Sequence, residues 1–334
     1  MNVVSGALGG GTAPVESSPV VDAPRRLLKR AAGVSSKKLL AGTALLGVFT
    51  LVAVIGPYLA PGNPSATGPL QLHAPSFSHL LGTTETGQDV LSQLLVGTRV
   101  TLEVALLAAV LGEVIAMAVG ITAGYLGGVA DGVLSAVTNV FLVIPILPLE
   151  ILLAAYLANR GPLIVAVIIG VMTWPWGARI LRAQTLSIRR RDYVEAARMA
   201  GEPTWRIVVS EILPNEMAIV TIGLLFHILF AILIQTSLAF LGLSSVSTWT
   251  WGTMLYWSQN ANAYALGAWW WYVPPGLCIA LVGMGLALVN LGVDEMVNPR
   301  LRTAGIGSRA ALRAERRALR ASLRPAPAQA RRPA

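Results

Sequence analysis

The sequence predicts an all-α membrane protein with six transmembrane helices and a helical cytoplasmic segment between the fourth and fifth. Three observations carry this expectation. Of 334 residues, 54 % are hydrophobic and 12 % charged, and the mean hydropathy is +0.65, whereas a soluble domain carries about 25 % charged residues. Apolar runs long enough to cross about 30 Å of hydrocarbon as a helix recur along the chain. The basic residues gather in segments that a six-span topology places on one side of the bilayer.

The elements follow in order. Residues 1–38 are rich in Gly, Pro and Ser and then basic, which reads as a cytoplasmic amino-terminal tail. The apolar run behind it lacks a small-residue cleavage site and exceeds a signal peptide's core, so it is expected to stay as a membrane helix. The six expected spans are 39–60, 102–123, 132–158, 162–181, 216–243 and 273–293. All of the 25 basic residues except Arg99 and Arg160 fall in the two tails or around the segment between spans four and five. The positive-inside rule puts that side in the cytoplasm, both termini with it, and residues 303–334 form a basic cytoplasmic tail. The loop after the first span and the segment 244–272 then lie outside. A net charge of +9 spread over loops and tails beside apolar runs points to membrane topology and away from nucleic acid. Cys278, the one cysteine, sits in an apolar run and has no partner for a disulfide or a zinc cluster.

The stretch "DYVEAARMAGEPTWRIVVSEILPN", residues 192–215, is polar and helix-patterned between two apolar runs. Asp192 with Glu195 resembles a capping box, Gly201 is the expected left-handed stop, and Pro203 suits the first turn of a second helix. In that helix Trp205, Val208, Val209 and Ile212 follow i, i+3, i+4, i+7 and predict one apolar stripe, with Pro214 ending the helix before the fifth span. An amphipathic helix on the inner lipid face and a knob offered to a soluble partner both fit this pattern.

Ionisable groups inside spans point to transport, since each is costly in hydrocarbon. Glu113 in the second span and Glu150 in the third either line a wet cavity or make a buried hydrogen bond. His227, Gln235 and Thr236 add polar character to the fifth, and a lone His there also suits an interhelical donor. Glu103 lies one turn from Arg99 and predicts an i, i+4 pair. Pro145, Pro148 and Pro175 are compatible with kinks. Tryptophans 269–271 suit a membrane-interface belt, while Trp249 and Trp251 are candidates for contact with an external protein. No G-x-x-x-x-G-K-[ST] phosphate loop, H-E-x-x-H motif or catalytic Ser-His arrangement occurs in the sequence, which argues against an enzyme.

The sequence "EAARMAG" at 195, then nine residues, then "EILP" at 211 resembles the EAA loop of ABC importer permeases. "LLGTTETGQDVLSQLLVGTR" at 80–99 and "GYLGGVAD" at 124–131 are similar to motifs of the dipeptide, oligopeptide and nickel permeases. "SLAFLGL" at 237, "WG" at 251, "PPG" at 274 and "NPRLR" at 298 continue in that family's order. The resemblance covers residues 39–302 and implies a permease domain whose EAA loop docks into a groove of an ATP-binding subunit. It assigns that contact to Glu195, Ala196, Ala197, Gly201, Trp205, Arg206 and Val209. A solute pathway through Glu113, Glu150, His227 and Gln235, and a contact of Trp249 and Trp251 with an external solute-binding protein, complete the expected sites. The implied partners are a second permease, two ATP-binding subunits, the binding protein and the bilayer. No cofactor is expected on this chain, with ATP and Mg on the partner subunits, and the implied location is a bacterial or archaeal inner membrane. The chain departs from the family at Thr84, Gln88 and Gln93, where Asp, Arg and Arg are usual, at Ala136 and Asn139, where an Arg and an Asp are common, and at Glu211, where Ile or His is usual. These departures bear on the solute and leave the fold intact. A secondary transporter or channel is the rival class, and such a protein needs no EAA loop and no ATPase.

Overall fold

A computed structural model describes residues 37–156 and 161–297. The first 36 residues and those from 298 onward, which hold nearly all of the two expected tails, lie outside the described part. The helices are α1 (Lys37–Leu59), α2 (Val90–Leu126), α3 (Gly128–Val143), α4 (Ile146–Tyr156), α5 (Pro162–Ile188), α6 (Asp192–Met199), α7 (Thr204–Ile207), α8 (Leu213–Phe240), α9 (Trp251–Asn260) and α10 (Trp269–Val297). Helices α1, α2, α5 and α10, and α7 joined with α8, are each long and apolar enough to span a bilayer. The pair α3 and α4 can make a sixth crossing only as a broken one, because the two are bent by 83°.

That break corrects the continuous third span expected over 132–158. Ile144 is extended, at φ −69° and ψ 125°, because the ring of a following proline disfavours helical backbone in the residue before it. Pro145 therefore stops α3, and α4 restarts in a new direction.

The second span is longer than its apolar run. Asp89 is the N-cap of α2, its carboxylate accepting from the Ser92 N–H at 2.7 Å, so the helix starts among polar residues twelve positions ahead of the expected boundary. Along α2 small residues recur every fourth position: Ala108, Gly112, Ala116, Gly120 and Gly124, all buried. This stripe lets the backbone of α5 come close. A Cβ on Gly120 would sit 2.5 Å from the Ala178 carbonyl oxygen, and one on Gly124 would sit 2.6 Å from Thr185 Cβ. The α2–α5 pair is the spine of the bundle. On it pack α8, α3 and α1, with α10 closing against α1, α8 and α9.

Three apolar clusters stack along this spine. One joins Val104, Ile169, Ile232, Leu238 and Trp251. A second, at the end that carries α6, joins Leu181, Ile188, Val194, Ile207 and Ile212. The third, at the opposite end, holds the loop 60–89 against Met254, Ala268 and Trp271. Lys38 Nζ meets Glu295 Oε1 at 2.7 Å, so the start of α1 and the end of α10 lie at one end of the bundle.

Candidate functional site: the 192–215 knob and the polar links beneath it

Residues 192–215 form a short helix, a turn and a second helix. The turn is a double hydrogen-bonded helix stop: Gly201 N–H donates to Arg198 C=O at 3.1 Å, and Glu202 N–H to Ala197 C=O at 3.2 Å. Gly201 has φ +80° with open space around it, so glycine is needed there for its backbone angle and not for room. The expected capping box is absent. Arg191 is the N-cap of α6 and no side chain caps it, which leaves Asp192 and Glu195 as first-turn acids that complement the helix dipole.

Pro214 does not end the second helix. Leu213 N–H reaches back five residues to Val208 C=O, closing a π turn over Val208–Ile212. The wider turn makes room for the Pro214 ring, which would clash with the carbonyl four residues back in a regular helix. The Asn215 side-chain amide then donates to Glu211 C=O at 2.6 Å. From Thr204 to Phe240 the chain is one continuous span-length helix.

The extra residue in the π turn rotates everything after it by about a third of a turn, and this breaks the predicted stripe. Trp205 is 68 % exposed and Val209 is exposed, while Ile212 is fully buried. The inner face consists of Val194, Ile207 and Ile212, packed on Ile188 and Leu181. Turned outward are Glu195, Ala196, Gly201, Trp205, Arg206 and Val209; Ala197 is half-buried. A groove of about 510 Å³ runs beside them, lined by Tyr125, Arg189, Arg190, Glu195, Arg198 and Glu202. Beneath the knob, Thr185 Oγ1 of α5 donates to Glu216 Oε1 of α8 at 2.7 Å in a buried contact, and Arg189 Nη1 donates to the Gly124 carbonyl at 3.0 Å. The knob is thus attached at its base to α2, α5 and α8.

The four residues expected to line a solute pathway are all buried inside this one chain: Glu113, Glu150, His227 and Gln235. Two of them meet. His227 Nδ1 lies 2.8 Å from Glu113 Oε2, and His227 Nε2 lies 3.2 Å from the Thr173 carbonyl oxygen. A carbonyl only accepts, so Nε2 carries a proton, and one further proton is shared between Nδ1 and the carboxylate. Glycines make the space: a Cβ on Gly223 would reach Glu113 Oε2 at 2.8 Å, and one on Gly177 would reach His227 Cε1 at 3.2 Å. Glu150, on α4, and Gln235, on α8, do not join this network. Both carboxylate oxygens of Glu150, and the side-chain oxygen of Gln235, are buried without a hydrogen-bond partner among the described residues.

A second polar link ties α3 to α5. Arg182 Nη2 donates to Asp131 Oδ2 at 2.7 Å and its Nε to Oδ1, a two-pronged ion pair, and Arg179 Nη2 donates to Asn139 Oδ1 at 2.8 Å. Sequence reading did not single out Arg179 or Arg182. The signal was an arginine well inside an apolar run, where a charge costs at least about 2.5 kcal/mol.

At the other end of the bundle Trp251 is fully buried, its indole N–H donating to Thr98 Oγ1 at 3.0 Å and its backbone N–H to Thr101 Oγ1 at 3.1 Å. It offers no surface to an external protein and is corrected to a core residue. Its place as the first residue of α9, directly after the capping residue Thr250 in a polar stretch, hid this in the sequence. Trp249 is half-buried and donates to Ser65 Oγ at 2.9 Å. The tryptophans at 269–271 split: Trp269 is exposed, Trp270 Nε1 donates to the Thr83 carbonyl at 3.2 Å, and Trp271 is buried. Arg99 Nε meets Glu103 Oε1 at 2.7 Å, the i, i+4 pair expected from spacing.

Comparison with known proteins decides what such a bundle and knob belong to. Residues 116–303, more than half of the chain, match the family of binding-protein-dependent transport system inner membrane components. The chain belongs to that family. This permease is 33 % identical over 295 residues to a putative peptide transport system permease protein of Brucella suis, covering 87 % of this chain and 95 % of that one. It is 37 % identical over 277 residues to the dipeptide transport system permease protein of Escherichia coli, covering 80 % and 90 %. To the di/tripeptide transport system permease protein of Pseudomonas aeruginosa the identity is 31 % over 277 residues, covering 80 % and 90 %. The chain is therefore a multi-pass integral membrane permease subunit of an ABC importer and not an enzyme; ATP hydrolysis belongs to separate subunits of the complex.

Proposed function

We propose that this permease couples closure of two ATP-binding subunits to alternating access for peptides or related small solutes, through the EAA loop at 192–215. The observation that supports this most is the continuity of the helix from Thr204 to Phe240. A partner that grips Trp205 and Val209 at its exposed end moves a rigid rod that becomes a membrane span, with no hinge between. Glu195, Ala196, Ala197, Gly201 and Arg206 complete the docking face, and the buried Val194, Ile207 and Ile212 keep it in shape. ATP binds preferentially to one arrangement of the complex, so the chain supplies a stiff linkage and no chemistry of its own.

In this reading the knob and both termini are cytoplasmic, in a bacterial or archaeal inner membrane. The complex contains a second permease, two ATP-binding subunits that hold ATP and Mg, and an external solute-binding protein that delivers solute at the opposite end, where Trp249 lies. This chain holds no cofactor. Peptide is the favoured solute because the relatives carry peptide, dipeptide and di/tripeptide transport in their names; nickel chelates and oligosaccharides are the related solutes that the resemblance also allows. Trp205→Ala tests the coupling. Truncating a buried aromatic anchor costs about 2 kcal/mol or more, roughly thirtyfold in docking, so uptake and transport-linked ATP hydrolysis fall together while the chain still inserts. Unchanged uptake in that variant would return the knob to the lipid surface.

A further inference from the structure

Among the described residues, Arg179 is an exposed arginine inside the span-length helix α5. It lies nine residues before the end of α5, about 13 Å inside the helix at 1.5 Å per residue, and it is exposed on the chain's surface. Its guanidinium does not reach back toward the helix end. It is held at the level of Asn139, eleven residues into α3 and so about 16 Å along it. Asn139 is a neutral amide that takes one of the five guanidinium N–H donors and none of the charge. One turn further along α5, Arg182 is neutralised by the two-pronged bond to Asp131, so the same pair of helices carries one compensated and one uncompensated arginine. Trp176, 70 % exposed, sits one turn before Arg179 on the same outward face, with Ala183 one turn after it. A bare guanidinium at this depth is disfavoured against lipid, so the face turns toward a polar space, and the guanidinium there presents a planar fork that matches a carboxylate.

We propose that Arg179 is a solute-binding residue of the translocation pathway, that it receives a carboxylate of the transported solute, and that Asn139 sets this specificity by leaving the charge free. For a peptide the group is the terminal carboxylate, with Trp176 contributing apolar contact beside it. The inference rests on the reading of the chain as an importer permease for peptides. Asn139 orients the fork through one donor and leaves the outer N–H pair for the ligand.

The test uses the whole complex with its binding protein in proteoliposomes, comparing uptake of trialanine with a free carboxylate against trialanine carboxamide. Arg179→Gln should lower uptake of the free acid at least tenfold and change uptake of the carboxamide less than twofold, while Arg179→Lys falls between. Asn139→Asp should act like Arg179→Gln although the arginine is untouched, because the chain then supplies the carboxylate itself; where the binding protein refuses the carboxamide, this variant decides alone. Equal loss of both probes, or wild-type uptake by Asn139→Asp, would overturn the proposal. So would loss of the second permease from purified Arg179→Gln complexes, which assigns the charge to a subunit contact, or dependence of the effect on anionic lipid. If the wild type takes up neither probe, the peptide reading itself fails.

Discussion

Glu113 and His227 lie 114 residues apart and meet at 2.8 Å in the middle of the bundle, which makes them the clearest case of residue-scale chemistry that one sequence cannot pair. The sequence shows each as a lone polar group on an apolar helix. Only the crossing of α2, α5 and α8 brings them to one point, with the Thr173 carbonyl on the other side of the ring. The arrangement acts as an internal tie. Glu113→Gln keeps it, since the amide N–H₂ can donate to Nδ1 while Nε2 still donates to Thr173, so the loss of stability is under about 1 kcal/mol and solute preference is unchanged. Glu113→Leu leaves the histidine with one buried nitrogen unpaired and costs about 1–3 kcal/mol. Thermal unfolding of the purified complex checks both. Equal loss in the two variants would show that the hydrogen bond contributes nothing, and a changed solute preference in Glu113→Gln would assign the pair to the pathway. Gly201, by contrast, was legible from the start, because a left-handed stop is a local demand that a helix end places on one residue type.

At the scale of elements, what could be read and what could not divide by range. Apolar runs located the five span-length helices and the bent α3–α4 pair, since the length that hydrocarbon demands is written locally. Boundaries failed where polar residues extend a helix, as at Asp89 ahead of α2. The break at Pro145 was visible as a permissive residue, but the 83° bend is set by how α4 finds contacts with α5 and α8. The π turn at Val208–Ile212 left no mark that propensity could show, and it misled the stripe because an i, i+3, i+4, i+7 count assumes a constant 3.6-residue turn. The four-residue spacing of Ala108, Gly112, Ala116, Gly120 and Gly124 was available and is the stronger predictor of which helices pair. Gly120→Val tests it: the added side chain meets the Ala178 carbonyl and Leu181 Cβ, and overpacking of this kind costs about 1–3 kcal/mol or more. The recovered amount of folded complex should fall sharply, whereas Gly132→Val on α3, with nothing within 4 Å of its Cβ, should leave it unchanged. Similar recovery of both variants would remove the stripe as the basis of the α2–α5 spine.

The whole molecule is a helical bundle with a polar knob at one end and a folded loop cap at the other. Family membership makes the chain an ABC importer permease, and the structure supplies the parts that the proposed coupling uses: an exposed face on α6 and α7, a continuous helix from Thr204 to Phe240, and side-chain ties from that helix to α5 through Thr185 and Glu216 and to α2 and α5 through Glu113, His227 and Thr173. The most direct test of the central claim is cross-linking from the knob in the intact complex, with Cys278 replaced by Ser and Ala196→Cys as the reactive position. Ala196 is exposed on the outer face of α6, and Tyr264→Cys in the loop at the far end, itself exposed, serves as the control. A short bifunctional maleimide should join residue 196 to the ATP-binding subunit, with yield changing when ATP is added, and should give no such product from residue 264. A complex that assembles and transports yet yields no adduct with the ATP-binding subunit from residue 196 would contradict the account.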